Sequence, residues 1–120
     1  MSNALRNDSG EELVQAAKAY ITAHSADKFS LQAVADALYV NKCYLLRQFR
    51  ARTGGTLLKY HNQVRCEQAK QMLADTALSI SEVGEAVGFV SSSHFTHVFK
   101  KTVGVTPTEY RDAHAESGRD

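Results

Sequence analysis

The stretch SLQAVADALYVNKCYLLRQFRARTGGTLLKY (Ser30–Tyr60) returns as SISEVGEAVGFVSSSHFTHVFKKTVGVTPTEY (Ser79–Tyr110). The offset is 49 residues at the start and 50 after one extra residue, assigned to Phe89. Eight positions are identical: Ser30/Ser79, Val34/Val83, Ala37/Ala86, Val40/Val90, Phe49/Phe99, Gly54/Gly104, Thr56/Thr106 and Tyr60/Tyr110. Each copy is a short apolar-periodic stretch, a tight break, and a second stretch with polar residues on its outer face. That is the layout of a helix-turn-helix, and two copies suggest a module that reads two stretches of DNA.

Working outward, helix starts are marked by capping side chains inside apolar pairs. Ser30 lies between Phe29 and Val34, Asn41 between Val40 and Leu45, and Ser79 between Leu78 and Val83. Ser91 lies between Val90 and Phe95, and Thr106 between Val105 and Tyr110. Each pattern is a cap with a hydrophobic staple, and Glu82 and Glu109 complete capping boxes with Ser79 and Thr106. Pro107 falls at a first helical position, where its missing N–H costs nothing. Ser9 with Glu12 marks one more start, ahead of Leu13, Val14, Ala17, Tyr20 and Ile21 on one face. Thr56 to Ala74 has no Gly or Pro, and at 1.5 Å per residue it makes a rod of about 28 Å, against about 34 Å between successive major grooves on one face of DNA.

The expected fold is all-α: seven helices near 10–25, 31–38, 42–53, 57–74, 80–87, 92–102 and 107–116. Two helix-turn-helix subdomains are joined by a long linker helix. The expected divisions are a disordered or cloning-derived start over 1–9, a first lobe over 10–55, the linker helix over 56–75, a second lobe over 76–116 and a polar tail over 117–120.

Composition narrows the function. Apolar residues make up 43% and Pro occurs once, which favours a compact helical fold. No apolar run approaches the roughly 20 residues of a membrane span, and no secretory pattern opens the chain. Cys43 and Cys66 have no metal-ligand spacing, and as free thiols they fit a reducing cytosol. The five His and two Cys form no triad, zinc pattern or phosphate loop, so no catalytic residue, metal site or cofactor is expected. His24, His61 and His114 are expected on the surface. Net charge is only +1, but its distribution is uneven. Residues 42–70 hold seven basic side chains (Lys42, Arg47, Arg50, Arg52, Lys59, Arg65, Lys70) against Glu67, whereas 71–99 hold three acids and no Lys or Arg. Local clustering of this kind governs affinity for phosphate.

The two-unit pattern, the linker helix and the run GFVSSSHFTHVFKKTVGVTPTEYR (Gly88–Arg111) resemble the DNA-binding domain of AraC/XylS-type bacterial transcription regulators. Gly88-Phe89, Ser91, Phe95, Phe99-Lys100-Lys101, Gly104, Thr106-Pro107 and Tyr110-Arg111 sit at signature positions. The first unit matches through Ala35, Leu45, Arg47, Phe49 and Gly54, and Tyr60–Arg65 resembles the start of the linker helix. The likeness covers about residues 12–112. It implies that the third and sixth helices enter successive major grooves of an asymmetric DNA site. Carried over, the base readers are Lys42, Cys43, Leu46 and Arg47, then Ser92, Ser93, His94, Thr96 and His97.

Among these, Arg47 is an outward side chain beside core Leu45 and Phe49, able to grip guanine with two bonds; a phosphate contact or a surface ion pair is the plainer use. Lys42 suits a base or a phosphate. Cys43 and Leu46 suit a thymine methyl, or merely leave space and cap the core edge. His97 stands where the family often has Arg, and offers one hydrogen bond in place of a fixed donor fork. Base specificity is therefore expected mainly from the first unit, with His94 and His97 gaining charge in mild acid. Expected phosphate contacts are Asn41, Arg50, Arg65, Ser91, Lys100 and Lys101; Arg65 has a second reading as a brace between lobes. Gly88 is expected in a left-handed turn, while Tyr39 in the first unit makes that turn different. Phe29, Phe49, Phe89, Phe99, Tyr60 and Tyr110 read as core.

The resemblance implies double-stranded DNA as partner, no membrane, and a cytoplasmic, nucleoid-associated place in a bacterium. Family members that activate also touch RNA polymerase. The module commonly ends a longer protein, so an N-terminal sensor and dimerisation domain is expected to precede it; a stand-alone regulator controlled by its abundance is the alternative. The competing reading is a helical protein-interaction module with little DNA specificity of its own.

Overall fold

The computed structural model describes the backbone of residues 2–119 and the side chains of residues 10–114. Among the described residues it contains seven helices and no strand: α1 (Ser2–Ala23), α2 (Leu31–Ala37), α3 (Lys42–Thr53), α4 (Leu57–Asp75), α5 (Ile80–Ala86), α6 (Ser92–Val103) and α7 (Pro107–Arg119). None of them is long and apolar enough to cross a membrane. The five expected internal caps are made. The Ser30 hydroxyl accepts from the Ala33 N–H, Asn41 Oδ1 from Cys43 and Tyr44, and Ser91 Oγ from His94. Ser79 with Glu82 and Thr106 with Glu109 form reciprocal boxes. Thr56 adds another cap, accepting from the Lys59 N–H.

The ends differ from the sequence expectation. Helix α1 starts at Ser2 and runs through Ser9, which is therefore no cap, and takes in the segment expected to be disordered. No Gly or Pro interrupts Ser2–Ser9, and Ala4, Leu5 and Arg6 favour helix. Gly10 lies inside α1 with the Arg52 guanidinium against it, so a Cβ there would require that side chain to shift. Helix α7 runs to Arg119, taking in most of the stretch expected as a polar tail.

The chain divides into two compact units, the first holding residues up to His24 with Phe29–His61, the second Ser25–Lys28 with residues from Asn62 onward. In the first, α1 packs on α2 and α3. Its core is Val14, Ala17, Ile21, Val34, Ala35, Leu45, Phe49 and Leu57. In the second, α6 packs on α5 and α7, around Cys66, Ala69, Leu73, Val83, Val87, Phe89, Phe95, Val98 and Phe99. The two cores trade volume at one pair of positions. Gly84 lies so close to Phe95 that a Cβ would come within 2.7 Å of the ring, whereas the first unit has Ala35 and the smaller Leu45 there.

The turns repeat bond for bond. In the first, Tyr39 N–H donates to Asp36 O (3.2 Å) and Val40 N–H to Ala35 O (3.0 Å); in the second, Gly88 donates to Glu85 O (3.1 Å) and Phe89 to Gly84 O (2.9 Å). This paired pattern is the Schellman helix end, closed by one left-handed residue. That residue is Gly88 (φ 113°) in the second unit and Tyr39 (φ 57°) in the first. The match corrects the repeat alignment: Phe89 takes the place of Val40, and the extra residue is Val90, fully exposed before the Ser91 cap. Sequence identity pairs Val40 with Val90, but the turn's hydrogen bonds are backbone bonds, and a side-chain match leaves them unseen.

Gly88 is constrained twice, by its φ and by space: a Cβ would meet Ala26 O at 2.6 Å and Arg65 Nη2 at 2.9 Å. Gly104 is also left-handed (φ 103°), but a Cβ there meets nothing within 4 Å. Gly88→Ala should therefore lower the unfolding free energy by more than about 2 kcal/mol, and Gly104→Ala by about 1 kcal/mol. Urea midpoints at constant m-value measure the difference; equal losses would mean that the Ala26 contact is not what constrains the turn.

The Glu82 and Glu109 carboxylates sit below the ordinary carboxylate range because each accepts from the backbone N–H and hydroxyl side of its own cap. A depressed carboxylate contributes stability above its unfolded value of about 4.3, and that contribution is lost as pH falls through the lower folded value. Glutamine keeps the box but cannot titrate. The Glu82→Gln/Glu109→Gln double variant should lose less stability than wild type between about pH 5 and 3, read by thermal unfolding across that range.

Candidate nucleic-acid interface

In each unit the second helix buries one stripe and exposes the rest. Helix α3 buries Leu45 and Phe49, and exposes Lys42, Cys43, Leu46, Arg47 and Arg50. The last four are spaced i, i+3, i+4, i+7, so they share one face. Helix α6 buries Phe95, Val98 and Phe99, and exposes Ser92, Ser93, His94, His97, Lys100 and Lys101, with Thr96 half-buried. At an offset of 50, Ser93, Thr96, His97 and Lys100 repeat the spacing of Cys43, Leu46, Arg47 and Arg50. Each expected base-reading residue thus lies at the outer side of its own helix. Leu46 is 40% exposed, so it does not complete the core.

The caps leave donors free. Asn41 Oδ1 is engaged by Cys43 N–H at 2.7 Å, which leaves the Asn41 side-chain amide to donate outward. Ser91 Oγ accepts from His94 N–H at 3.0 Å, which leaves its O–H to donate. Both lie at helix N-termini, where the peptide dipoles favour an anion. Arg50 and Lys100 occupy matched positions in the last turns, and Lys101 is exposed beside Lys100.

Arg65 is a correction. It was expected to contact phosphate, but it is 7% exposed. Its Nε donates to Ser25 O at 2.6 Å and its Nη2 to Asp27 O at 2.7 Å, and its guanidinium lies 5.0 Å from the centre of the Phe89 ring. Burial works against its charge, with partial relief from Asp27. Its donors hold the Ser25–Lys28 segment behind the Gly88 turn within the second unit. His61 is the second correction: expected at the surface, it is buried with its ring edge-on to Phe29 at 5.3 Å. Both follow from one stripe of α4, Leu57, His61, Arg65, Ala69 and Leu73, which are all buried at four-residue spacing. The period was visible in the sequence, but two polar residues on it disguised the face.

Other expectations hold with refinements. Phe49, Phe89 and Phe99 are buried, while Phe29, Tyr60 and Tyr110 are half-buried. Cys43 is an exposed free thiol, and Cys66 a buried one whose thiol burial pushes up. His24 and His114 are exposed, stacked on Tyr20 and Tyr110. One exposed residue escaped the sequence reading: Tyr44, which matches His94 at the same offset and adds a phenol to the outer side of α3.

Chemically, the two outer faces differ. The α3 face carries Lys42, Arg47 and Arg50, donors of fixed positive charge. The α6 face opens, after the Ser91 cap, with two serines and two histidines and meets its first lysine only at Lys100. His94 is further held by an edge contact to Phe89 at 5.4 Å.

A family model described as a helix-turn-helix domain matches residues 34–113. The arabinose operon regulatory protein of Escherichia coli is 35% identical over 108 residues, covering 89% of this chain and 37% of that protein. The chain spans about a quarter to two-fifths of the length of the curated relatives it matches. Among solved structures, an AraC-type transcriptional regulator from Chromobacterium violaceum superposes with a TM-score of 0.83 at 28% identity, covering 90% of this chain and 96% of that one. The DNA-binding domain of the global transcriptional factor AdpA, solved with a target DNA, gives 0.79 at 26% identity, over 87% and 94% of the two chains.

The different surroundings of two arginines make a test. Arg65→Met should lower the unfolding free energy by about 2–4 kcal/mol, since it strips charged donors from the Ser25 and Asp27 carbonyls. Arg47→Ala should stay within about 0.5 kcal/mol of wild type. Urea denaturation of both variants decides; a stable Arg65→Met would restore the phosphate reading.

Proposed function

The chain belongs to the AraC/XylS-type family of helix-turn-helix transcription regulators, and on that premise we propose that its two DNA-reading helices share the work unequally. Double-stranded DNA is the partner, and the chain is a DNA-binding domain rather than an enzyme. The proposal concerns how the DNA is read. Helix α3 supplies most base discrimination through Arg47, supported by Lys42, with Cys43 and Leu46 against thymine methyls. Helix α6 reads weakly through Ser92, Ser93, His94, Thr96 and His97, and serves mainly to hold register. Phosphates are taken by Asn41, Ser91, Arg50, Lys100 and Lys101. The observation that carries this reading is the contrast between the cationic outer face of α3 and the serine–histidine opening of α6.

The site is asymmetric, because the two helices differ at every expected reading position. It comprises two base clusters about one helical turn apart, within roughly 20 bp. In the cell the domain acts in the bacterial cytoplasm on the nucleoid, in cis with an N-terminal sensor and dimerisation domain, and touches RNA polymerase when it activates. The length of the relatives supports the further domain.

Binding-site selection from random duplexes, with wild type, Arg47→Ala and His97→Ala, tests this. Wild type should enrich two clusters, strongly for the one read by α3. Arg47→Ala should lose preference at one base of that cluster, worth about 1–3 kcal/mol. His97→Ala should leave the motif almost unchanged. A motif equally strong in both clusters, or one erased by His97→Ala, would refute the unequal division.

A further inference from the structure

The first helix-turn-helix closes on Tyr39, the one non-glycine residue with positive φ among the described residues. Its side chain is 95% exposed. The left-handed region carries a steric cost for any residue with a Cβ, and the second unit avoids that cost with Gly88. A bulky residue repays such strain when its side chain packs in the core, but a ring this exposed buries almost nothing. Folding therefore gives no account of a tyrosine at this turn, and its side chain is left to act outside the fold.

We propose that Tyr39 is a DNA-backbone contact, its phenol O–H donating to a phosphate oxygen beside the groove that α3 enters. The inference rests on the DNA-binding reading above. Tyr39 stands two residues before the Asn41 cap of α3, so its Cα lies within about 7 Å of the cap's. The N-terminal residues of a recognition helix are those that meet base edges, so the chain feeding that helix passes the sugar–phosphate backbone. Tyrosine is among the side chains that bond phosphate oxygens. Charge selects the partner: Lys42, Arg47 and Arg50 follow on the exposed side of α3, a helix that holds no acidic residue. A polyanion suits that surface better than a protein face does. Being neutral, Tyr39 fixes register without releasing a counterion.

Tyr39→Gly and Tyr39→Phe test this against wild type, by fluorescence anisotropy on a duplex carrying the selected site over a range of salt, with thermal unfolding in parallel. Tyr39→Gly should keep Tm or raise it by a few degrees, because relief of the left-handed strain offsets the added freedom of the unfolded chain. Its Kd should nevertheless rise about 3- to 10-fold, and Tyr39→Phe should show a similar rise. The salt slope should be unchanged in both, since no cation is removed. Wild-type affinity in both variants would overturn the proposal and turn this side chain toward a protein partner. Weakened binding by Tyr39→Gly alone would overturn the phosphate hydrogen bond, and a clear fall in its Tm would show that the ring serves the fold. If wild type binds no duplex at all, the DNA-binding reading falls and this inference falls with it.

Discussion

One left-handed residue closes each helix-turn-helix, and the outer face of the helix that follows is set by it. The backbone must leave the first helix, satisfy its last carbonyls and start the next helix within a few residues. The Schellman pair of hydrogen bonds does this in both units, from Tyr39 and Val40 and from Gly88 and Phe89. Once the turn is fixed, a capping side chain fixes the phase of the next helix, Asn41 for α3 and Ser91 for α6. That phase decides which residues are buried with Leu45 and Phe49, or with Phe95 and Phe99, and which face outward. The turn in the second unit has more support: Gly88 fits against Ala26, and Arg65 ties the Ser25–Lys28 segment by two carbonyl bonds. The first turn tolerates a Cβ, in the left-handed Tyr39.

Helix α4 shows how polar groups enter a core. Its buried stripe includes His61 and Arg65, in line at four-residue spacing with Leu57, Ala69 and Leu73. Arg65 is accepted there because its donors are met by loop carbonyls and its flat face by the Phe89 ring, which offset the desolvation of its charge. A comparable device closes the far end of α4, where Arg111 Nε donates to Leu73 O at 3.0 Å and its Nη2 to Thr76 O at 3.3 Å. Carbonyls at a helix C-terminus lack partners within the helix, and a guanidinium suits both their geometry and the dipole. Two of the chain's arginines are thus spent on backbone carbonyls, which leaves Arg47 and Arg50 as the exposed guanidiniums on the outer side of α3.

The chemistry of recognition divides along the same lines as the charge. Phosphate affinity is a matter of local positive charge, and that gathers on α3 and the segment after it. The opening of α6 has hydroxyls and imidazoles, which make shorter-ranged contacts that depend on close approach. A duplicated fold therefore carries two chemically different outer faces, with the common core held by identical residues such as Val34/Val83 and Phe49/Phe99.

Much of this was legible in the sequence, because caps, staples and αL glycines are local: each needs only a few neighbouring residues, and those residues are contiguous. The seven helices and the caps at Ser30, Asn41, Ser79, Ser91 and Thr106 follow from spacing and pattern, whereas the set Cys43, Leu46 and Arg47 came from the family resemblance. Three things needed the tertiary structure. The inserted residue was Val90 and not Phe89, because backbone hydrogen bonds rather than side-chain identity set the register of the turn. Arg65 belonged to the core and not to the phosphate set, because its acceptors come from a loop 38–40 residues away in sequence. Tyr39 proved left-handed and almost wholly exposed, since a residue's φ depends on the helix end it must close. Local chemistry wrote the elements; contacts distant in sequence decided which polar side chains remained free to meet a partner.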